Sequence, residues 1–157
     1  MRYIDLARYP IDRLASSAGQ ALLNRCRTGL RRQGFVALDG FVTPEATAAV
    51  LAESEELEAA GGGFYSTEQH NIFLTEETPP HEGLRPDHPR RQEMSSSKRI
   101  FPADELDAET PLRAIHEWPP MVAFVKAALQ RESLYPSACP LGAYYVNIFG
   151  AGDQVLP

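Results

Sequence analysis

Apolar positions recur at helical spacing through the first third of the chain and alternate at strand spacing near its end. Leu22, Cys26 and Leu30 fall on one helical face. Ser17 with Gln20 three residues later predicts a reciprocal cap at the start of this helix, and Gly34 supplies its end. Phe35 to Leu38 is a short apolar run closed by Asp39-Gly40 and predicts a strand. Thr43-Pro44-Glu45 then offers an N-cap, a proline at the first helical position and a favourable acid. The following helix has Ala46, Val50, Leu51, Ser54 and Leu57 as its expected buried stripe, and Gly61-Gly62-Gly63 releases the chain.

His70-Asn71-Ile72-Phe73-Leu74 predicts a second strand, followed by a polar, proline-rich stretch from Thr75 to about Glu93. A gap of that length is expected to be a surface excursion or a lid, taken here as residues 75–99. Its last part, Arg90 to Arg99, is rich in hydrogen-bond donors and offers Arg91 and Lys98 as candidate partners for a small carboxylate, alongside the plainer reading of a solvated loop. Thr110-Pro111 predicts a short helix through Trp118, and Pro119-Pro120 another with Val122, Phe124, Val125 and Leu129 as core contacts. Leu141 to Phe149 is a long predicted strand running into the turn Gly150-Ala151-Gly152-Asp153. Strand parity places Ala143, Tyr145, Asn147 and Phe149 on one side and Tyr144, Val146 and Ile148 on the other. The second side reads as core. The first presents Tyr145 and Asn147 either to a ligand cavity or to an ordinary sheet surface.

Length and composition narrow the class without naming a function. The 157 residues suit one domain that needs no disulfide or metal staple. Fifteen basic against 21 acidic side chains give a formal net charge of −6, which disfavours a general nucleic-acid surface. Arg25, Arg27, Arg31 and Arg32 form the densest basic run, but they lie on the first helix and read as its solvated face. Cys26 and Cys139 have neither redox-motif nor zinc-site spacing and are expected to be isolated thiols. No apolar run approaches the roughly 20 residues that span a bilayer. The expectation is a soluble, cytoplasmic protein with no membrane partner.

Familiar catalytic patterns are absent from the sequence. The three glycines follow a helix and lack the Gly-Lys-Ser/Thr completion of a phosphate loop. His70, His81, His88 and His116 show no metal-ligand spacing, and Asp104, Glu105, Asp107 and Glu109 read as surface charge rather than an acid–base pair. Ser95 to Ser97 have no sequence-local base and no strand-to-helix elbow.

Several short motifs, in order, give a more specific lead: Asp5-Leu6 with Tyr9-Pro10, Gly40-Phe41 with Thr43-Pro44, His70 to Thr75, Asp87-His88-Pro89-Arg90-Arg91, Ser95 to Lys98, Thr110 to Arg113, and Leu134-Tyr135-Pro136 through Pro140-Leu141. Together they resemble the N-terminal part of iron(II)/2-oxoglutarate-dependent oxygenases of the ArpA-like family, related to free-amino-acid hydroxylases and halogenases. The resemblance implies an α+β fold, a partial double-stranded β-helix (jelly roll, cupin-like) with helices packed outside it. It also implies iron(II) and 2-oxoglutarate as cofactors of the full-length family, and hydroxylation or halogenation of a free amino acid or related small metabolite.

In that family the turn after the long strand leads into the first iron ligands, whereas Val155-Leu156-Pro157 stands in that place here. The expectation is therefore a single domain over residues 1–157, the front portion of a larger fold, with no iron triad of its own, no cofactor bound and no catalysis alone. Such a chain would leave a sheet edge open to self-association as a homo-oligomer. The surviving site residues implied by the resemblance are Tyr145 and Asn147 toward the cofactor and Arg91 and Lys98 toward the substrate. The alternative is a non-enzymatic scaffold or small-ligand binding protein derived from the same fold.

Overall fold

The computed structural model describes residues 1–70, 83–91 and 94–153. The chain divides into two compact units, one formed by residues 1–61 and 102–145 and the other by residues 62–101 and 146–157. Among the described residues it is a mixed α+β structure of four α-helices and a three-stranded sheet.

The first unit is helical. Helix α1 (Ser17–Gln33) starts on Ser16, not Ser17: the Ser16 hydroxyl accepts from the Gly19 amide at 3.1 Å. Gln20 does not close the expected reciprocal cap, since its side-chain amide donates to the Leu14 carbonyl. Gly34 ends the helix with φ +79°, and its N–H bonds to the Leu30 carbonyl. A left-handed residue at this position satisfies a carbonyl the helix would leave open, and glycine adopts it without a Cβ penalty. Helix α2 (Pro44–Ala59) begins as its sequence dictates, with the Thr43 hydroxyl accepting from the Ala46 amide. Helices α3 (Pro111–His116) and α4 (Pro119–Ala128) each place proline in the first turn, where a missing N–H costs nothing.

Helix α1 packs against α4, and α2 against α3. The core joins Ile4, Tyr9 and Ile11 to Leu22, Leu23 and Cys26 of α1 and to Phe124 and Ala128 of α4. Fully burying a side chain of the Leu or Phe class is worth roughly 1.5–3 kcal/mol, so this cluster holds the unit together. Phe41 stacks on Phe124 with centroids 6.3 Å apart and meets Tyr9 edge-on at 5.5 Å. The Tyr9 hydroxyl donates to the Asp39 carbonyl at 2.6 Å, so burying the phenol leaves no polar atom unpaired.

Further expectations for this unit change. Leu129, read as a core contact, is exposed at the C-cap of α4. Phe35 to Leu38 forms no strand; Phe35 is exposed, and the extended pairing nearby is an isolated bridge between Ile4 and Val42. Leu51 leaves the buried stripe of α2 and faces outward, because only Ala46 and Ser54 are fully buried on that helix. Arg27 leaves the solvated face of α1: its guanidinium donates twice to the Ala127 carbonyl, at 2.8 and 3.1 Å, capping the end of α4.

The second unit holds the sheet except for the boundary residues Pro102 and Tyr145, in the order β1 (Phe64–His70), β2 (Met94–Pro102), β3 (Tyr145–Ile148). Strands β1 and β2 run antiparallel in the register Phe64↔Ile100 through His70↔Met94. Tyr65, Thr67, Ser97 and Arg99 therefore share one face, and Ser66, Glu68, Ser96 and Lys98 the other. Of the strand expected over residues 70–74 only His70 is described, at the end of β1; residues 71–82 lie outside the described residues, as do 92–93. Of the expected 75–99 loop, Pro89–Arg91 is a 3-10 turn and Met94 to Arg99 is strand. Strand β3 is shorter than the predicted Leu141 to Phe149. Among the described residues no helix is long and apolar enough to cross a membrane.

Candidate functional site

The polar side chains expected to face a ligand distribute over the sheet and the turn beside it. Tyr145 and Asn147 both lie on β3, two residues apart and so on one side of the strand. Tyr145 is 53% exposed. Asn147 is half-buried, and its carboxamide Oδ1 is shielded from water with no hydrogen-bond partner among the described residues. A buried oxygen left in that condition costs about 1–3 kcal/mol.

Lys98 lies on β2 and its Nζ donates to the Ser96 hydroxyl at 3.3 Å, on the same strand face. Arg91 sits outside the sheet, at the end of the 3-10 turn, with its backbone N–H on the His88 carbonyl. Lys98 thus joins the strand system that carries Asn147, whereas Arg91 does not.

Asp153 is a residue that reading the sequence passed over. The turn after β3 closes by an Asp153 N–H to Gly150 carbonyl bond at 3.1 Å, and Gly152 takes φ +92° within it. Asp153 then gathers three donors. Its Oδ1 accepts from the Tyr65 hydroxyl on β1 and from the Ser97 hydroxyl on β2 at 2.8 Å, while Oδ2 accepts from the Gly150 amide at 2.7 Å. Tyr65 and Ser97 can both reach it because the register puts them on one face of the β1–β2 pair. The Gly-Ala-Gly-Asp turn was legible in the chain; its partners, 88 and 56 residues away, were not.

These bonds hold the Asp153 carboxyl below the ordinary value of 3.8, first through Tyr65, then Gly150 and Ser97. A lowered native pKa means the charged clamp stabilises the native state above the ordinary carboxylate range. That contribution is lost as pH falls through the native pKa. The Gly150 amide proton resonance should accordingly titrate with a midpoint under 3.8, and Asp153→Asn should abolish that titration. A midpoint at or above 3.8 in the native protein would show that the three donors do not act on the carboxylate.

Two further polar groupings belong to the helical unit. Glu53 on α2 accepts from the Asp107 amide at 2.6 Å and from the Thr110 hydroxyl at 2.7 Å, tying α2 to the start of α3. The neighbouring Asp104, Glu105, Asp107 and Glu109 are exposed, as surface charge would be. On α3, Arg113 Nε donates to the Tyr144 hydroxyl at 2.6 Å, and the His116 ring lies tilted against Tyr144 at 5.5 Å. Cys26 is buried and Cys139 exposed, both as free thiols; burial pushes the Cys26 thiol pKa up.

No family model, curated protein or solved structure matches this chain. Its chemistry rests on its own residues. The fit to iron can be tested there: the described residues include no group of three His, Cys, Asp or Glu side chains placed to hold a metal. They do not supply the ligand set that an iron(II) centre requires.

Proposed function

We propose that this chain forms the ligand-binding side of an iron(II)/2-oxoglutarate-dependent oxygenase fold, a partial jelly roll with packed helices, whose substrate is a free amino acid or related small metabolite. The ordered series of short motifs supports the family. The mixed α+β architecture is compatible with it, and the observation that carries the site is the buried, unpartnered Oδ1 of Asn147. The described residues alone do not supply an iron site.

The chemistry of that oxygen selects its ligand. A carboxamide oxygen only accepts, so it calls for an N–H or O–H donor. The ammonium of an amino acid provides one; the carboxylates of 2-oxoglutarate, ionised at neutral pH, do not. Asn147 is therefore assigned to the amino group of the substrate in preference to the cofactor. Lys98, on β2 of the same sheet, and Arg91, outside the sheet, carry the charge that would neutralise the substrate carboxylate. Among the described residues β3 ends the strand order, as β1 does at the other side, which makes it an edge to which a second copy of the chain would add a strand.

A second reading, a small-ligand binding module on the same fold, uses the same Asn147 site without turnover. Calorimetric titration of the 157-residue protein with free amino acids, with and without 2-oxoglutarate, separates the two. Amino-acid binding that changes when 2-oxoglutarate is present supports the oxygenase fold, and binding indifferent to 2-oxoglutarate supports the module. Asn147→Ala should weaken amino-acid binding by about 1–3 kcal/mol, the cost of losing a buried hydrogen bond. If no amino acid binds, or the variant binds as well as the native chain, the site assignment fails.

A further inference from the structure

Strand β3 is short for what it holds. Its four residues, Tyr145 to Ile148, form an edge of the sheet, and among the described residues β2 is the one strand beside it. A pairing of that length offers few ladder hydrogen bonds. It nevertheless keeps the Asn147 Oδ1 out of water with no hydrogen-bond partner among the described residues. A buried acceptor in that state favours any displacement of the strand that would let water reach it. Holding β3 in place therefore calls for a tie beyond the short ladder.

The Asp153 carboxylate supplies one. The chain leaves β3 through Phe149 and the turn that ends at Asp153, and there it is fastened back onto the sheet. Oδ1 accepts from the Ser97 hydroxyl of β2 at 2.8 Å and from the Tyr65 hydroxyl of β1, while Oδ2 closes the turn on the Gly150 amide at 2.7 Å. The end of β3 is thus tied to its neighbour β2 and also to β1, which is not its neighbour in the sheet. Hydrogen bonds to an ionised carboxylate are stronger than those between neutral groups. Tyr65, Ser97, Gly150 and Asp153 all lie in the second unit with Asn147.

We infer that Asp153 is a positioning residue for Asn147: by latching the end of β3 across β2 to β1, it holds the edge strand where the Asn147 carboxamide is buried. Its consequence for binding rests on the amino-acid reading of Asn147 proposed above; the latch itself does not. The β1–β2 pair is the firm side of the latch, with continuous pairing from Phe64↔Ile100 to His70↔Met94. Loss of a latch bond therefore frees β3 first.

The test removes the latch donors one at a time in the full 157-residue chain. Tyr65→Phe keeps the ring and takes away only the hydroxyl, and Ser97→Ala does the same for the second donor. In each, hydrogen exchange at the Val146, Asn147 and Ile148 amides should rise about tenfold, the worth of one such bond, and Asp153→Ala should raise it further. Exchange at Leu22, Leu23 and Cys26 in the helical core should stay at the native rate, which reports that the fold survives. The Asn147 side-chain amide resonances, identified by their loss in Asn147→Ala, should move toward those of a water-exposed carboxamide. A carboxylate that serves only its own turn would speed exchange at Gly150 to Asp153 and leave the β3 amides and the Asn147 side chain unmoved, and that result overturns the inference. Calorimetry with free amino acids keeps the two readings apart. If the native chain binds one, Tyr65→Phe should bind it about tenfold more weakly, and undiminished affinity overturns the inference. If the native chain binds none, the amino-acid reading falls, and the exchange rates with the Asn147 resonances decide the latch by themselves.

Discussion

Phe124→Ala is expected to lower the unfolding free energy by about 3–5 kcal/mol, the cost of emptying a buried aromatic site. Phe124 is 5% exposed and sits where α4 meets the core. Removing its ring takes away its own burial and the stacking surface of Phe41 together. Phe41 in turn carries an edge contact to Tyr9, so the loss reaches the segment that closes the other side of the core. Such aromatic pairs add about 0.5–1.5 kcal/mol beyond area burial. The control is Leu129→Ala, at the C-terminal cap of the same helix, where the side chain is 46% exposed and a loss of less than about 1 kcal/mol is expected. Urea unfolding followed by circular dichroism measures both. Equal losses in the two variants would mean that the core is not organised around Phe124.

Gly19→Ala should destabilise the protein by about 1–3 kcal/mol or more, although alanine is the better helix former by about 1 kcal/mol. Gly19 lies in the first turn of α1 and is buried. A Cβ there would stand 2.4 Å from the Arg13 carbonyl oxygen, 2.7 Å from the Leu14 Cα and 2.8 Å from the Leu14 carbonyl oxygen. All three obstacles are backbone, and no side-chain rotation relieves them. Gly29, further along the same helix, offers the comparison: its nearest obstacles lie at 3.2 to 3.5 Å and include the movable Val36 side chain. Gly29→Ala should therefore cost less than Gly19→Ala, and thermal unfolding of the pair checks the order. The reverse order would indicate that the turn before α1 yields easily and does not fix the start of the helix.

The two glycines show where local pattern stops being informative. Both occupy helix α1, and nothing in their neighbouring residues separates them. The difference comes from the 3-10 turn Ile11–Arg13 and Leu14 folding back on the helix start. The same limit applies to the sheet. Phe64–His70 has Ser, Thr, Glu and Gln at its centre and Met94–Pro102 has three serines followed by Lys and Arg, so neither carries the alternating apolar signal by which a half-buried strand is recognised. Phe35 to Leu38 carries an apolar signal and forms no strand, because a strand also needs a partner and the nearest pairing is the single Ile4–Val42 bridge.

Elements fixed by neighbouring residues were readable from the chain. Thr43-Pro44, Pro111 and Pro119 mark helix starts through capping and the lost proline N–H, Gly34 marks a stop through its left-handed φ, and Leu22, Cys26 and Phe124 are core residues by spacing. Each depends on contacts within a few residues. The Asp153 clamp and the unpaired Oδ1 of Asn147 depend on register and packing between segments far apart in the chain. Their residue types were visible, but no local rule states that Tyr65 and Ser97 will meet one carboxylate, or that an amide will be buried without a partner. Those facts arise only when the chain closes on itself, since burial and hydrogen-bond satisfaction are properties of the folded packing.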